Sequence, residues 1–191
     1  MSLSSQLSPD EERAILAQLG RKPESFRVLY RHYFPRVYAY VAYRVSSRQD
    51  AEDLTSDIFL KVVASINGFE HRGGGSFAAW VFRIAHNTVQ QFYRVDARQD
   101  AALDDINDYH STEHLPDEAF SLKERFGALQ RHIRMLTPRR QEIVTLRFYG
   151  GLRNQDIAAV LNLDERTVAS HLCRALEDLR RMYEEQEVRD E

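Results

Sequence analysis

Residues 152–176 read Leu-Arg-Asn-Gln-Asp-Ile-Ala-Ala-Val-Leu-Asn-Leu-Asp-Glu-Arg-Thr-Val-Ala-Ser-His-Leu-Cys-Arg-Ala-Leu, an order that fits a short helix, a tight turn and a second helix. The first helix is expected to carry Ile157, Ala158 and Leu161 inward. The turn falls at Asn162-Leu163, and Asp164 is expected to cap a second helix that buries Val168, Leu172 and Leu179. Thr167, Ser170, His171 and Arg174 then lie at i, i+3, i+4 and i+7 on the outer stripe. An ordinary helical hairpin with a polar outer face satisfies the same apolar pattern. The row of hydrogen-bond donors favours a helix-turn-helix whose second helix enters a DNA major groove.

The rest of the chain is helical by the same test, with no strand pattern. Ser8-Pro9-Asp10-Glu11 is a capping box with proline at the first helical position, and it opens a short helix ending near Gly20. A long helix from about Glu24 carries apolar residues at spacings of three and four from Phe26 to Val45, and Pro35 is expected to kink it. Ser47 with Asp50 opens a third helix that Asn67-Gly68 stops. A fourth helix, Ser76 to about Tyr93, is expected to bury Phe77, Trp80, Val81, Ile84, Ala85, Thr88, Val89 and Phe92. Gly73-Gly74-Gly75 precedes it, but no Gly-Lys-Ser/Thr follows, so the loop is no nucleotide P-loop. Later, Ala119, Leu122, Phe126, Leu129, Ile133 and Leu136 mark a packing helix, and Thr137-Pro138 caps the next one, which ends at Gly150-Gly151.

Charge is segregated along this sequence. The net charge of −3 looks wrong for a DNA-binding protein. Residues 96–118, however, hold eight acids against Arg98 alone and carry −7, which leaves +4 on the remainder. That segment lacks periodicity, contains Pro116 and reads as a linker. The fold class is therefore all-α: a helical domain over residues 1–95, an acidic flexible linker over 96–118, and a helix-turn-helix domain over 119–191. Fully extended, the 23 linker residues reach about 75 Å.

Between His71 and Val95 there is no Asp or Glu. On the fourth helix Arg83, His86, Asn87, Gln90, Gln91 and Arg94 share a face opposite the apolar stripe, with His71 and Arg72 in the preceding loop. Phe69, Phe82 and Tyr93 add rings nearby. Donors without acids, interleaved with aromatics, suit nucleic acid, including single strands whose bases stack. A solvated polar face is the plain alternative. Two candidate DNA surfaces in separate domains exceed what a simple repressor needs.

With these motifs in order, the chain resembles the extracytoplasmic-function (ECF) RNA polymerase sigma factors over about Ile15 to Tyr183. Asp50-Ala51-Glu52-Asp53-Leu54 followed by Phe59-Leu60-Lys61 is similar to the family's signature for docking on the polymerase clamp helices. Phe77, Trp80, Ile84-Ala85 and Asn87 resemble its promoter-melting helix. Thr167-Val168, Ser170, Leu172 and Arg174-Ala175 resemble its upstream-element reader. The resemblance implies docking through Asp50, Glu52, Asp53, Leu54, Asp57 and Phe59. It implies melting contacts from Trp80 and Asn87, to which the acid-free face adds Arg72, Arg83, His86, Gln90, Gln91 and Arg94, and duplex reading by Thr167, Ser170 and Arg174, to which the outer side of the recognition helix adds Arg166 and His171. It also implies core RNA polymerase and promoter DNA as partners, an anti-sigma factor as a family-level expectation, and a linker that imitates a phosphate chain inside polymerase channels. Four carboxylates along two turns of one helix agree with a basic partner, although the helix dipole alone accounts for Asp50 and Glu52.

Some positions depart from the family pattern. Ser56-Asp57 stand where Gln-Glu is usual, Gln91 where Asp is, and Arg166 where Gly commonly precedes the Thr-Val pair. Ala169 and His171 replace common basic residues, so the recognition helix is less cationic than usual. The alternative is a two-domain helix-turn-helix regulator that acts without polymerase. It leaves the aspartate-rich third helix and the acid-free fourth unexplained. An enzyme is disfavoured: there is no His-Glu-x-x-His and no paired cysteine spacing, so no metal or cofactor is expected. The single cysteine, Cys173, allows no intrachain disulfide and fits a cytoplasmic location. The first residues lack a signal-peptide pattern, and no apolar run is long enough for membrane insertion.

Overall fold

The computed structural model describes residues 7–19, 24–45, 47–69, 76–100 and 129–190. Every regular element among them is helical, which agrees with the all-α expectation. Contacts divide the chain into two compact units, Met1–Asp108 and Tyr109–Glu191.

The first unit holds α1 (Pro9–Gln18), α2 (Ser25–Arg44), α3 (Arg48–Ser65), a 3-10 turn (Ile66–Gly68) and α4 (Phe77–Asp100). The helix starts follow the sequence. Ser8 Oγ accepts from the Glu11 N–H at 3.2 Å while Glu11 Oε2 accepts from the Ser8 N–H at 2.8 Å, a complete capping box. Ser47 Oγ accepts from the Asp50 N–H at 3.3 Å, and Ser76 Oγ from the Ala79 N–H at 3.0 Å. Helix α2 runs on through Pro35. The core is built where three helical stripes meet: Leu29, Tyr33, Val37 and Val41 of α2, Ala51, Ile58 and Val62 of α3, and Phe77, Val81, Ala85 and Val89 of α4. Each is almost wholly removed from water, and side chains the size of valine or larger stabilise by about 1.5–3 kcal/mol apiece. Lys61 Nζ donates to Thr88 Oγ1 at 3.0 Å, tying α3 to α4.

Helix α4 is longer than expected. It passes Tyr93 and continues through Asp96 to Asp100, so the first five residues assigned to a linker are helical. The hydroxyl of Tyr93 donates to the Arg44 carbonyl at the end of α2, which anchors α4 about two turns before its end. Residues 101–118 and the Gly-rich loop with His71 and Arg72 lie outside the described residues.

In the second unit, residues 129–135 form helix α5, followed by α6 (Pro138–Phe148), α7 (Asn154–Leu161) and α8 (Glu165–Asp190). Ile133 and Leu136 are buried as expected, but Leu129 is exposed. Residues 119–128 of the expected packing helix lie outside the described residues. Thr137 occupies the N-cap position of α6, yet its side chain makes no cap hydrogen bond; Pro138 at the first helical position sets the start. The Arg140 guanidinium donates to the Asp178 carboxylate, clasping α6 to α8.

Candidate nucleic-acid and polymerase surfaces

The helix-turn-helix is present as α7 and α8. Its turn needs a left-handed residue, and Asn162 supplies one at φ 54°, a conformation its short amide tolerates. The Leu163 N–H closes onto the Ala158 carbonyl at 2.9 Å, and the Val168 N–H onto the Asp164 carbonyl at 3.1 Å, starting α8. Ile157, Ala158 and Val168 are buried as expected; Leu161, Leu172 and Leu179 are half-buried, and Ala175 completes the seam.

The outer stripe of α8 is displaced from the expected one. Arg166, Ser170 and Arg174 are exposed, whereas Thr167 is half-buried. His171 is corrected: its ring is half-buried, and Nδ1 lies out of solvent without a hydrogen-bond partner. The reason is phase. His171 falls one residue before Leu172 and three after Val168, on the flank of the buried seam. The face thus reads Arg166, Ser170, Cys173, Arg174 and Glu177, and Cys173 Sγ donates to Glu177 Oε1 at 3.3 Å. The Glu177 carboxylate holds the Cys173 thiol above its ordinary value of 9.0, first by accepting that hydrogen bond and then by its charge, while the neighbouring Arg174 acts in the opposite sense.

On α4 the six expected donors separate into two rows. Arg83, Asn87, Gln91 and Arg94 are exposed at i, i+4, i+8 and i+11, a single stripe. His86 and Gln90 are half-buried on its flank, and His86 Nδ1 lies 3.5 Å from the Tyr40 hydroxyl, which draws the ring toward α2. Phe82, expected among the accessible rings, is fully buried with its centroid 5.8 Å from that of Tyr40. Trp80 is half-buried rather than core. It stacks obliquely with Phe69 at 5.2 Å and Phe77 at 5.4 Å at the start of the exposed stripe. A ring held on two sides and open on a third can receive a nucleobase.

Helix α3 brings the largest correction. Leu54 and Phe59, read as the apolar part of a docking patch, are 7% and 6% exposed. They fall in phase with Ala51, Thr55, Ile58 and Val62, and the Phe59 ring packs on Tyr30 at 4.8 Å and Phe34 at 5.8 Å. Leu60 and Val63 are exposed instead, at 68% and 49%. The outer stripe therefore reads Asp53, Asp57 and Leu60 at i, i+4 and i+7, with Glu52 and Val63 beside it. Periodicity alone could have found these two residues. Among the acids, Asp50 is half-buried in the first turn, where it complements the helix dipole. Glu52 accepts from Arg48 Nε at 2.8 Å, and Asp53 from Gln49 Nε2 at 3.2 Å; Asp57 has no ion-pair partner among the described residues.

Two helical units, one carrying a helix-turn-helix that exposes Arg166, Ser170 and Arg174, suit the class of DNA-binding proteins. Residues 29–99 match the family model for Sigma-70 region 2, and residues 126–179 that for Sigma-70 region 4. The chain is 34% identical over 167 residues to the ECF RNA polymerase sigma factor BldN of Streptomyces coelicolor, covering 87% of this chain and 62% of that protein. It is 31% identical over 169 residues to the ECF RNA polymerase sigma-E factor of Haemophilus influenzae, covering 84% of this chain and 87% of that one. In fold it is similar to the sigma factor RpoE from Bartonella quintana, solved in complex with the anti-sigma factor NepR: TM-score 0.71, 24% identity, 84% of this chain and 98% of that chain. The chain belongs to the ECF RNA polymerase sigma factors, the alternative sigma factors that direct promoter recognition with RNA polymerase. It spans about three-fifths of the length of BldN, and no helix among the described residues is long and apolar enough to cross a membrane.

Proposed function

We propose that the chain divides promoter recognition among three exposed helical stripes. The α3 stripe of Asp53, Asp57 and Leu60, flanked by Glu52 and Val63, docks on a basic, partly apolar surface of core RNA polymerase. The α4 stripe of Arg83, Asn87, Gln91 and Arg94, with Trp80 at its start, holds the melted promoter strand. The α8 stripe of Arg166, Ser170 and Arg174, with Thr167 on its flank, reads the duplex upstream element. Residues 1–95 carry the first two tasks and residues 119–191 the third, with residues 96–118 as the acidic connection.

The observation that carries this reading is the contrast between α3 and α4. The exposed α4 stripe offers donors and no acid over about three turns, while α3 presents carboxylates beside exposed Leu60 and Val63. A single DNA-binding surface would repel phosphate along α3. A partner of opposite charge accounts for it. A regulator working without polymerase leaves α3 without a role.

In this reading the protein supplies recognition and the polymerase supplies catalysis. It works in the cytoplasm, and an anti-sigma factor holds it inactive by covering the same stripes. The test compares Asn87→Ala with wild type on a duplex promoter and on one opened beforehand over the melted region. The variant is expected to lose transcription from the duplex and regain it on the opened template. Wild-type yields on both would remove Asn87 from the melting surface.

A further inference from the structure

Helix α1 takes no part in the three stripes, yet it sends a carboxylate into the core. Glu12 is the one buried charged side chain among the described residues of the first unit. Burying an ionised carboxylate is unfavourable unless strong hydrogen bonds replace its water. Glu12 Oε2 accepts from the hydroxyl of Tyr33 on α2, which is itself 2% exposed. Burial, and then the Glu12 charge, push the Tyr33 phenol far above its ordinary value, so it remains a donor. The Arg36 guanidinium lies over the Tyr33 ring, 5.0 Å from its centroid, and opposes part of that rise.

The Tyr33 ring leads toward the melting surface. Its edge meets Phe77 at 5.4 Å and 72°. Phe77 in turn packs on Trp80 at 5.4 Å and on Phe69 at 5.2 Å. Close-packed rings of this kind have few alternative arrangements, so fixing one end limits the other.

We propose that Glu12 is a positioning residue for promoter opening: its hydrogen bond to Tyr33 fixes the Tyr33–Phe77–Trp80 stack and thereby the ring presented at the start of the α4 stripe. This rests on the reading of α4 as the strand-holding helix.

Trp80 is the only tryptophan of the chain, so its fluorescence reports this stack directly, without DNA. The test uses full-length Glu12→Ala, Glu12→Gln and Tyr33→Phe, each first shown by circular dichroism to be folded. Glu12→Ala and Tyr33→Phe are expected to raise acrylamide quenching of Trp80. They should also lower the ratio of duplex to pre-opened transcription by about tenfold, the scale of one intramolecular hydrogen bond. Glu12→Gln keeps an acceptor and should stay near wild type in both readouts. Tyr33→Phe preserves the ring and decides the matter if Glu12→Ala does not fold. Wild-type quenching in the folded variants overturns the proposal. So does a wild-type transcription ratio while Asn87→Ala depresses it. If Asn87→Ala also leaves the ratio unmoved, the failure belongs to the reading of α4, and Trp80 quenching alone then decides whether Glu12 orders the stack.

Discussion

Lys61 Nζ on α3 donates to Thr88 Oγ1 on α4 at 3.0 Å, joining the acidic helix to the donor-bearing one. The two ends of this bond differ in surroundings: the Lys61 side chain is exposed, and Thr88 is buried. Removing Lys61 leaves a buried hydroxyl without this donor, whereas removing the hydroxyl frees an ammonium that water can solvate. Lys61→Ala is therefore expected to cost about 1–3 kcal/mol, and Thr88→Val less than about 1 kcal/mol. Urea denaturation of both variants checks the order, and a larger loss from Thr88→Val would contradict it.

The same logic predicts a gain at Thr55. Its side chain is wholly buried on α3, and Oγ1 has no hydrogen-bond partner. Valine replaces the hydroxyl with a methyl of similar size and removes an unsatisfied polar atom. Thr55→Val is expected to stabilise the protein by about 1 kcal/mol. A lower melting temperature for the variant would show that the hydroxyl is satisfied in solution.

His32 gives the stability a pH dependence. Burial, and then the neighbouring Arg36, hold its imidazole below the ordinary value of 6.5. Arg36 Nη1 lies 3.0 Å from His32 Nε2, a geometry suited to the neutral ring as acceptor. The folded state thus binds fewer protons here than the unfolded one. This contribution is complete above the unfolded value and is lost as pH falls through 6.5 toward the folded one. His32→Gln should show a smaller fall in denaturation midpoint between about pH 7.5 and pH 5.5 than wild type. Parallel pH profiles would exclude His32 as a source of the slope.

On α8, Glu177 controls the reactivity of the only cysteine. The carboxylate keeps Cys173 protonated by accepting its hydrogen bond and by its charge. The thiolate is the form that reacts. Glu177→Gln is expected to speed alkylation of Cys173 by iodoacetamide at mildly alkaline pH. An unchanged rate would mean that the carboxylate does not control the thiol.

Arg166 and Arg174 stand eight residues apart on the exposed α8 stripe. Arg166 lies near the helix start, where recognition helices meet base edges. Arg166→Ala is expected to relax preference at one upstream base pair, by about 1–3 kcal/mol. Arg174→Ala should weaken binding to all sequences alike and reduce the salt dependence by about one counterion. Binding to a panel of upstream-element variants at two salt concentrations separates them. Identical specificity for wild type and Arg166→Ala would leave Ser170 and Thr167 as the reading residues.

The all-α fold, the capping box at Ser8 and the helix-turn-helix were legible in the sequence because each rests on local chemistry. Capping oxygens, a left-handed Asn162 and apolar spacings of three and four need no distant partner. Leu54 and Phe59 are buried because phase, not residue type, decides which side of α3 meets the core. An apolar residue next to an acid in sequence lies about 100° away on a helix, and Leu60 held the position in line with Asp53 and Asp57. His86 and His171 are half-buried for another reason. Their half-burial depends on the neighbouring helices, such as Tyr40 on α2, that helical spacing cannot supply. The link from Glu12 to Tyr33 spans 21 residues and two helices, and no local pattern announces it.

The most direct test is binding of the purified chain to core RNA polymerase, with Asp53→Arg, Leu60→Ala and wild type compared by affinity and by melting temperature. Asp53 and Leu60 are both exposed, so neither change should disturb the fold. The account predicts a stable complex that each variant weakens, Asp53→Arg by at least about tenfold, with melting temperatures near wild type. Wild-type affinity in both variants, or no complex with core polymerase at all, would contradict it.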